Sequence, residues 1–207
     1  MARYTGPVCR ICRGLGEKLF LKGEKCFTKC TIEKRPFPPG QRSTRRRKVS
    51  DRGMQLREKQ KVRYHFGMME RQFVRFYEEA VRRPGITGDN LLRLLEMRMD
   101  SVVYHAGFAD SRAQARQLVK HGLLAIDGRK AAIPSRIVRV GEVITWTERG
   151  QKSEYAGTLK ENIGTKKAPE WLSVDGGALA ARVLSDPDLT EVNERFNTAM
   201  IVEYYSR

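Results

Sequence analysis

Residues Met97 to Pro134 read MRMDSVVYHAGFADSRAQARQLVKHGLLAIDGRKAAIP, and this stretch sets a basic helix beside a tight hairpin. Ser111, with Gln114 three residues on, makes the capping-box pattern that starts a helix, and Gly122 ends it. Ala115, Leu118 and Val119 fall on one face of that helix, while Arg112, Arg116 and Lys120 recur every four residues and predict a three-charge ladder on another. After Gly122, an apolar run from Leu123 to Ile126 leads into Asp127-Gly128, a pair that supplies positive φ to a two-residue hairpin turn. Arg129 and Lys130 follow the turn. From Arg112 to Arg139 seven Lys/Arg stand against one acid, Asp127. Cations spaced along a rigid surface meet the phosphates of a folded RNA at little ordering cost. The stretch is therefore read as an RNA-gripping module, with His121 and Arg136 beside the ladder and hairpin as further contacts.

The string from Asp100 to Gly122, D-S-V-V-Y-x-A-G-F-A-x-S-R-x-Q-A-R-Q-L-V-x-H-G, with the x-G-R-K hairpin and I-P-S after it, resembles the S-four RNA-binding domain in its ribosomal form. That domain also occurs in RNA-modifying enzymes and small stress proteins, so the rest of the chain has to decide.

Charge is the strongest signal outside this stretch. The 207 residues carry a formal net charge of +16, self-repulsion that a polyanionic partner would relieve. Residues 1 to 83 hold 23 Lys/Arg against 8 Asp/Glu, whereas residues 84 to 207 hold 17 against 16. The front of the chain is the electrostatic anchor. Between Glu142 and Glu203 acids outnumber bases by 11 to 7, which predicts a surface facing solvent or another protein. No stretch approaches a membrane span and the N-terminus lacks a signal-peptide core, so a cytoplasmic protein is expected, without membrane or small-molecule partner.

All four cysteines, Cys9, Cys12, Cys26 and Cys30, lie in the first thirty residues. Two close pairs at this separation can converge on one ion, and a cytosolic setting disfavours disulfides, so zinc is expected, with an iron–sulfur cluster as the alternative. Four thiolates leave zinc no open position, which makes the site structural. Arg3, Arg10 and Arg13 are placed on this knob as RNA contacts.

From Lys34 the chain reads KRPFPPGQRSTRRRKVSDRG; its prolines stiffen an extended arm, and Arg42, Arg45, Arg46, Arg47 and Lys48 follow without apolar periodicity, as in a segment ordered by its partner. Next, Leu56 and Val62 are sparse among Arg57, Lys59, Lys61 and Arg63, which predicts a charged rod that offers all four cations to RNA. Phe73, Phe76, Tyr77, Ala80 and Val81 form a core stripe on a second helix, and Asp89 is the expected cap of a third. Beyond Pro134 the apolar runs predict a small antiparallel sheet, a helix capped by Ser153, and further strands over 171–174 and 178–184. The last residues, FNTAMIVEYYSR, suit a short docking helix.

The opening ARYTGPVCRICR, the K-R-P-F-P-P-G-Q arm, the L-R-E-K-Q-K-x-R helix, the M-E-R-Q-F-x-x-x-Y-E-E-A stripe and the I-V-E-Y-Y-S-R tail extend the resemblance to both ends. Together they resemble the bacterial small-subunit ribosomal protein four family in its cysteine-bearing form. The resemblance implies an α+β fold in three parts: a metal-tied knob and basic arm over 1–48, a helical domain over 49–96 completed by 190–207, and an S-four domain over 97–189. It also implies binding to 16S ribosomal RNA at a junction in the five-prime domain, a part in nucleating subunit assembly and in translational accuracy, contact with ribosomal protein five, and a place near mRNA entry. The chain departs from the family in two notable places. Three residues rather than the frequent four separate Cys26 from Cys30, and Asp127 stands where Asn is common in the turn. An enzyme reading finds no stretch left over for a catalytic domain, and His65, His105 and His121 are scattered.

Overall fold

The computed structural model describes residues 4–41, 48–163 and 167–206. The chain divides into two compact units, Met1–Leu92 with Leu189–Arg207, and Arg93–Asp188. Among the described residues no helix is long and apolar enough to cross a membrane.

The first unit opens with three short helices, α1 (Cys9–Leu15), α2 (Lys25–Thr28) and α3 (Thr31–Lys34), followed by exposed arm residues from Arg35 to Gln41. Arg13 holds the start of this arm by donating from Nε to the Arg35 and Phe37 carbonyls at 3.1 and 2.9 Å. Helix α4 (Asp51–His65) begins where the Ser50 hydroxyl accepts from the Gly53 N–H at 3.2 Å. It is not the charged rod expected. Gln55, Lys59, Val62 and His65 recur on one face and are buried, because the C-terminal helix lies along it. Helix α5 (Glu70–Arg82) buries Phe73 and Ala80 of the expected stripe but leaves Val81 exposed. Helix α6 (Thr87–Glu96) starts two residues before Asp89, which falls inside the first turn instead of capping it. Its Leu91, Leu92, Leu94 and Leu95 are all buried.

The second unit continues with α7 (Met99–His105) and α8 (Arg112–Lys120), then strands β1 (Leu124–Ile126), β2 (Arg129–Lys130) and β3 (Val143–Trp146). After α9 (Glu148–Gln151) and α10 (Glu154–Asn162) come β4 (Leu172–Asp175) and β5 (Ala180–Val183). The Ser153 hydroxyl caps α10 by accepting from the Ala156 N–H, as its sequence predicts. The five strands form one antiparallel sheet in the order β2-β1-β3-β5-β4. Leu124, Ile144, Ala181 and Val183 from the sheet join Val102, Val103, Phe108, Val119 and Leu159 from the helices in one apolar core. Each large side chain so buried contributes about 1.5–3 kcal/mol. The entry to α7 is pinned by the segment after the hairpin, through Met99 N–H to the Arg136 carbonyl (2.8 Å) and Val138 N–H to the Met97 carbonyl (2.8 Å).

The chain then returns to the first unit as α11 (Thr190–Arg195) and α12 (Thr198–Tyr205). Ile201 is fully buried, Tyr205 stacks 4.5 Å from Tyr77, and the Tyr205 hydroxyl donates to Glu70 at 2.9 Å. Glu70 also takes the ammonium of buried Lys59 at 2.7 Å. The polarity of α4 is thus absorbed by a carboxylate from the start of the next helix and a tyrosine brought in from the C-terminal helix.

Candidate nucleic-acid interface

The helix and hairpin of the opening stretch form as their residues dictate. The Ser111 hydroxyl accepts from the Gln114 N–H at 3.3 Å, and the Gln114 side chain accepts in turn from the Asp110 N–H at 2.8 Å. Asp127 and Gly128 take φ of 47° and 76° between paired Ile126 and Arg129, the two positive values that a two-residue turn of matching twist needs. The Asp127 carboxylate turns back onto the sheet and accepts from the Val143 N–H at 3.0 Å. The residue itself stays exposed.

Lys120, His121, Arg129, Lys130 and Arg136 are exposed. The side chain of Lys130 crosses Gly122 so closely that a Cβ there would lie 2.2 Å from Lys130 Cε. That approach places the hairpin's ammonium at Gly122, just past the end of α8. An open groove of about 480 Å³ lies beside the hairpin, lined by Ile126, Asp127, Arg129, Lys130, Ile133 and Arg136 among others. Arg136 is steered by Glu142 at 2.8 Å yet stays 40% exposed. The arrangement offers donors that can engage several phosphates from one rigid surface.

The three-charge ladder does not survive in this form. Arg116 is buried and donates to Asp100 at 3.1 Å, where fully buried Arg98 also binds both carboxylate oxygens, at 2.9 and 2.6 Å. Arg112 donates to Glu96 at 3.2 Å and lies over the Tyr104 ring at 4.6 Å. Glu96, itself buried, further accepts from the Ser101 hydroxyl and contacts His105 Nε2, both at 2.7 Å. Burial alone would raise the pKa of Glu96, but His105, Arg112 and Ser101 outweigh it and hold the carboxyl well below the usual range. Of the ladder, Lys120 alone stands exposed. The residues that displaced the other two, Glu96 at the end of α6 and Asp100 in the first turn of α7, carry no sequence signal linking them to α8.

At the other end of the chain, Cys9, Cys12, Cys26 and Cys30 line one small pocket of about 20 Å³. The Lys22 N–H donates to Cys26 Sγ at 3.3 Å. Burial pushes the Cys12 thiol up, a hydrogen bond with the Leu19 backbone opposes this, and the other three cysteines raise it further. Four sulfurs thus sit near enough to repel as thiolates, a repulsion that a divalent cation would reverse. Among the described residues, however, no three metal-type side chains are drawn to one ligating point. The donor set fits zinc, and the spacing would have to tighten around the ion.

Known proteins match over the same regions. A model of the ribosomal protein S4/S9 N-terminal domain covers residues 3–96, and a model of the S4 domain covers residues 97–144. The small ribosomal subunit protein uS4 of Dehalococcoides mccartyi is 51% identical over 207 residues, all of both chains. The uS4A protein of Symbiobacterium thermophilum and the uS4 protein of Syntrophomonas wolfei are each 50% identical, again over the whole of both chains. The chain belongs to the uS4 family.

Across the rest of this uS4 chain the expected contact residues divide by environment. Arg10, Lys48 and Arg57 are exposed, Arg57 reaching the Gly14 carbonyl at 3.5 Å. Arg13 serves the arm. Lys59 is buried on Glu70, Lys61 is held by Glu17 and Glu58 at 2.8 and 2.9 Å, and Arg63 reaches Glu70 at 3.4 Å. These three cations hold α4 to its neighbours instead of lining a free surface. Arg3, Arg42, Arg45, Arg46 and Arg47 lie outside the described residues. His65 is a core residue, its Nδ1 3.3 Å from the Leu19 carbonyl and its ring 5.1 Å from Phe196. His105 belongs to the buried Glu96 network and not to acid–base chemistry.

Proposed function

We propose that this uS4-family chain is a structural, non-enzymatic constituent of the small ribosomal subunit that binds 16S ribosomal RNA directly. Its site is a helical junction in the five-prime domain, and its binding helps to nucleate subunit assembly. The observation that supports this most is the end-to-end likeness, 51% over the full length, to a protein named for the small ribosomal subunit. Phosphate contacts are assigned to Lys120, His121, Arg129, Lys130 and Arg136 in the second unit, and to Arg10, Lys48 and Arg57 in the first. Arg3, Arg42, Arg45, Arg46 and Arg47 join them on the strength of their charge alone. Arg112, Arg116, Lys59, Lys61 and Arg63 are assigned to the protein frame, because their charges are already matched inside it. Counterion release from the basic front of the chain supplies most of the affinity, and the α8 end with its hairpin sets the orientation.

In this reading residues 1–48 act as the knob and arm, 49–96 with 190–207 as the helical body, and 97–189 as the S-four module. Zinc, held by the four cysteines, closes a segment with too little apolar surface to fold alone. The acidic surface after Glu142 faces solvent or another protein, contact with ribosomal protein five bears on translational accuracy, and the chain lies near the mRNA entry path. In-cell crosslinking followed by sequencing of the attached RNA tests the proposal. Crosslinks concentrated at one junction of the five-prime domain are expected. Crosslinks scattered over transfer or messenger RNA would make the chain a free RNA binder instead.

A further inference from the structure

Phe27, on α2, exposes 68% of its surface. It stands in a basic segment with Lys22, Lys25 and Lys29, all exposed, and Glu24 is the one acid between Lys18 and Cys30. The ring is nevertheless held in place. Phe20 packs against it with centroids 5.0 Å apart and planes inclined by 33°. Phe20 in turn carries the guanidinium of Arg195 5.1 Å from its centroid, and Arg195 is fixed by donating to the Lys18 carbonyl at 2.9 Å. Phe20 adopts φ of 52°, a left-handed conformation that a bulky residue keeps only when its surroundings enforce it. A cation from α11, a strained phenylalanine and an outward phenylalanine are therefore built into one supported aromatic platform among lysines.

We propose that this platform stacks an unpaired nucleobase of the bound RNA on Phe27, while Lys22, Lys25 and Lys29 hold the flanking phosphates. The inference rests on the RNA-binding reading and adds the class of nucleotide recognised. A paired helix hides its base faces, so a free aromatic ring selects unpaired bases, and the lysines supply the charge-matched track that such sites combine with stacking. A protein partner docking on Phe27 would have to cover three exposed ammonium groups, which disfavours it.

The test measures binding of the full chain to a transcript of the five-prime domain of 16S ribosomal RNA over a range of salt. Phe27→Ala is expected to weaken binding about 5- to 150-fold, the loss typical of one base–aromatic stack, at an unchanged slope of log affinity against log salt. Phe27→Trp should restore affinity, and its added tryptophan emission should be quenched by RNA relative to the wild-type signal. The double change Lys25→Gln with Lys29→Gln should instead flatten the slope by about 1.4 to 1.8. Thermal melts of each variant establish that the fold is kept. Wild type and Phe27→Ala binding alike, or Phe27→Leu binding as tightly as wild type, would overturn the stack while leaving RNA binding intact. A wild-type chain that fails to bind the transcript would overturn the RNA reading itself, and the stack with it.

Discussion

Asp100 and Glu96 show how two buried carboxylates organise the second unit. Asp100 is shared by Arg98 and Arg116, and Glu96 by Arg112, His105 and Ser101. Removing one member of such a group leaves the others charged and buried, a change that costs about 3–5 kcal/mol. Asp100→Ala is therefore expected to lower the urea midpoint of unfolding by that equivalent at neutral pH, and an unchanged midpoint would show the pair to be solvated. Glu96 adds a pH dependence whose sign is set by its lowered folded pKa. Its contribution is full above its ordinary value of 4.5 and is lost as pH falls below that toward the folded pKa. The wild-type midpoint should fall more steeply between neutral pH and pH about 3.5 than that of Glu96→Gln, which cannot take up the proton. Parallel falls in the two proteins would assign the acid sensitivity to other carboxylates.

At the level of elements, α8 and the hairpin separate framework from contact. Arg112 and Arg116 tie α8 to Glu96 at the end of α6 and Asp100 at the start of α7, whereas Lys120 is exposed and Lys130 lies across Gly122 just past the helix. Substituting both lysines by Gln should flatten the salt dependence of RNA binding by about 1.4 to 1.8 with little loss of thermal stability. Arg116→Ala should do the reverse, lowering stability by roughly 3 kcal/mol or more while the salt slope of the folded fraction is kept. A flattened slope in Arg116→Ala would return that residue to the interface. The capping box, the Asp-Gly turn and the apolar face of α8 were legible in sequence because each depends on neighbours within a few residues. The partners of Arg112 and Arg116 were not, since a four-residue spacing of cations looks the same whether water or a buried carboxylate faces it.

Across the first unit, the cysteine-bearing segment and the C-terminal helices converge on α4. Leu19 is fully buried with its carbonyl at His65, the Lys18 carbonyl receives Arg195, and His65 packs on Phe196. Removing a cysteine-bound metal should therefore loosen more than the knob. Treatment with a strong chelator, or Cys9→Ser, is expected to open residues 8–40 to proteolysis and to lower hydrogen-exchange protection around His65 and Phe196, while β1, β3 and β5 keep theirs. Protection that is unchanged around His65 would show that the apolar contacts of Leu19 hold the segment without metal.

The sequence by itself determined the α+β class, the start of α8, the hairpin turn, the Ser153 cap, the later strands and the terminal docking helix. The class came with the family resemblance, and the rest follow from periodicity, capping and turn chemistry, which act over a few residues. It also placed four cysteines and most of the excess positive charge at the front of the chain. Tertiary structure decided which of the chain's charges remain available. Lys59, Arg98, Arg112 and Arg116 were drawn inward by Glu70, Asp100 and Glu96, because a charge leaves water only where an opposite charge and hydrogen bonds await it. The same long-range packing set Phe20 and Arg195 beneath an exposed Phe27, a juxtaposition of residues up to 175 positions apart that no local pattern encodes.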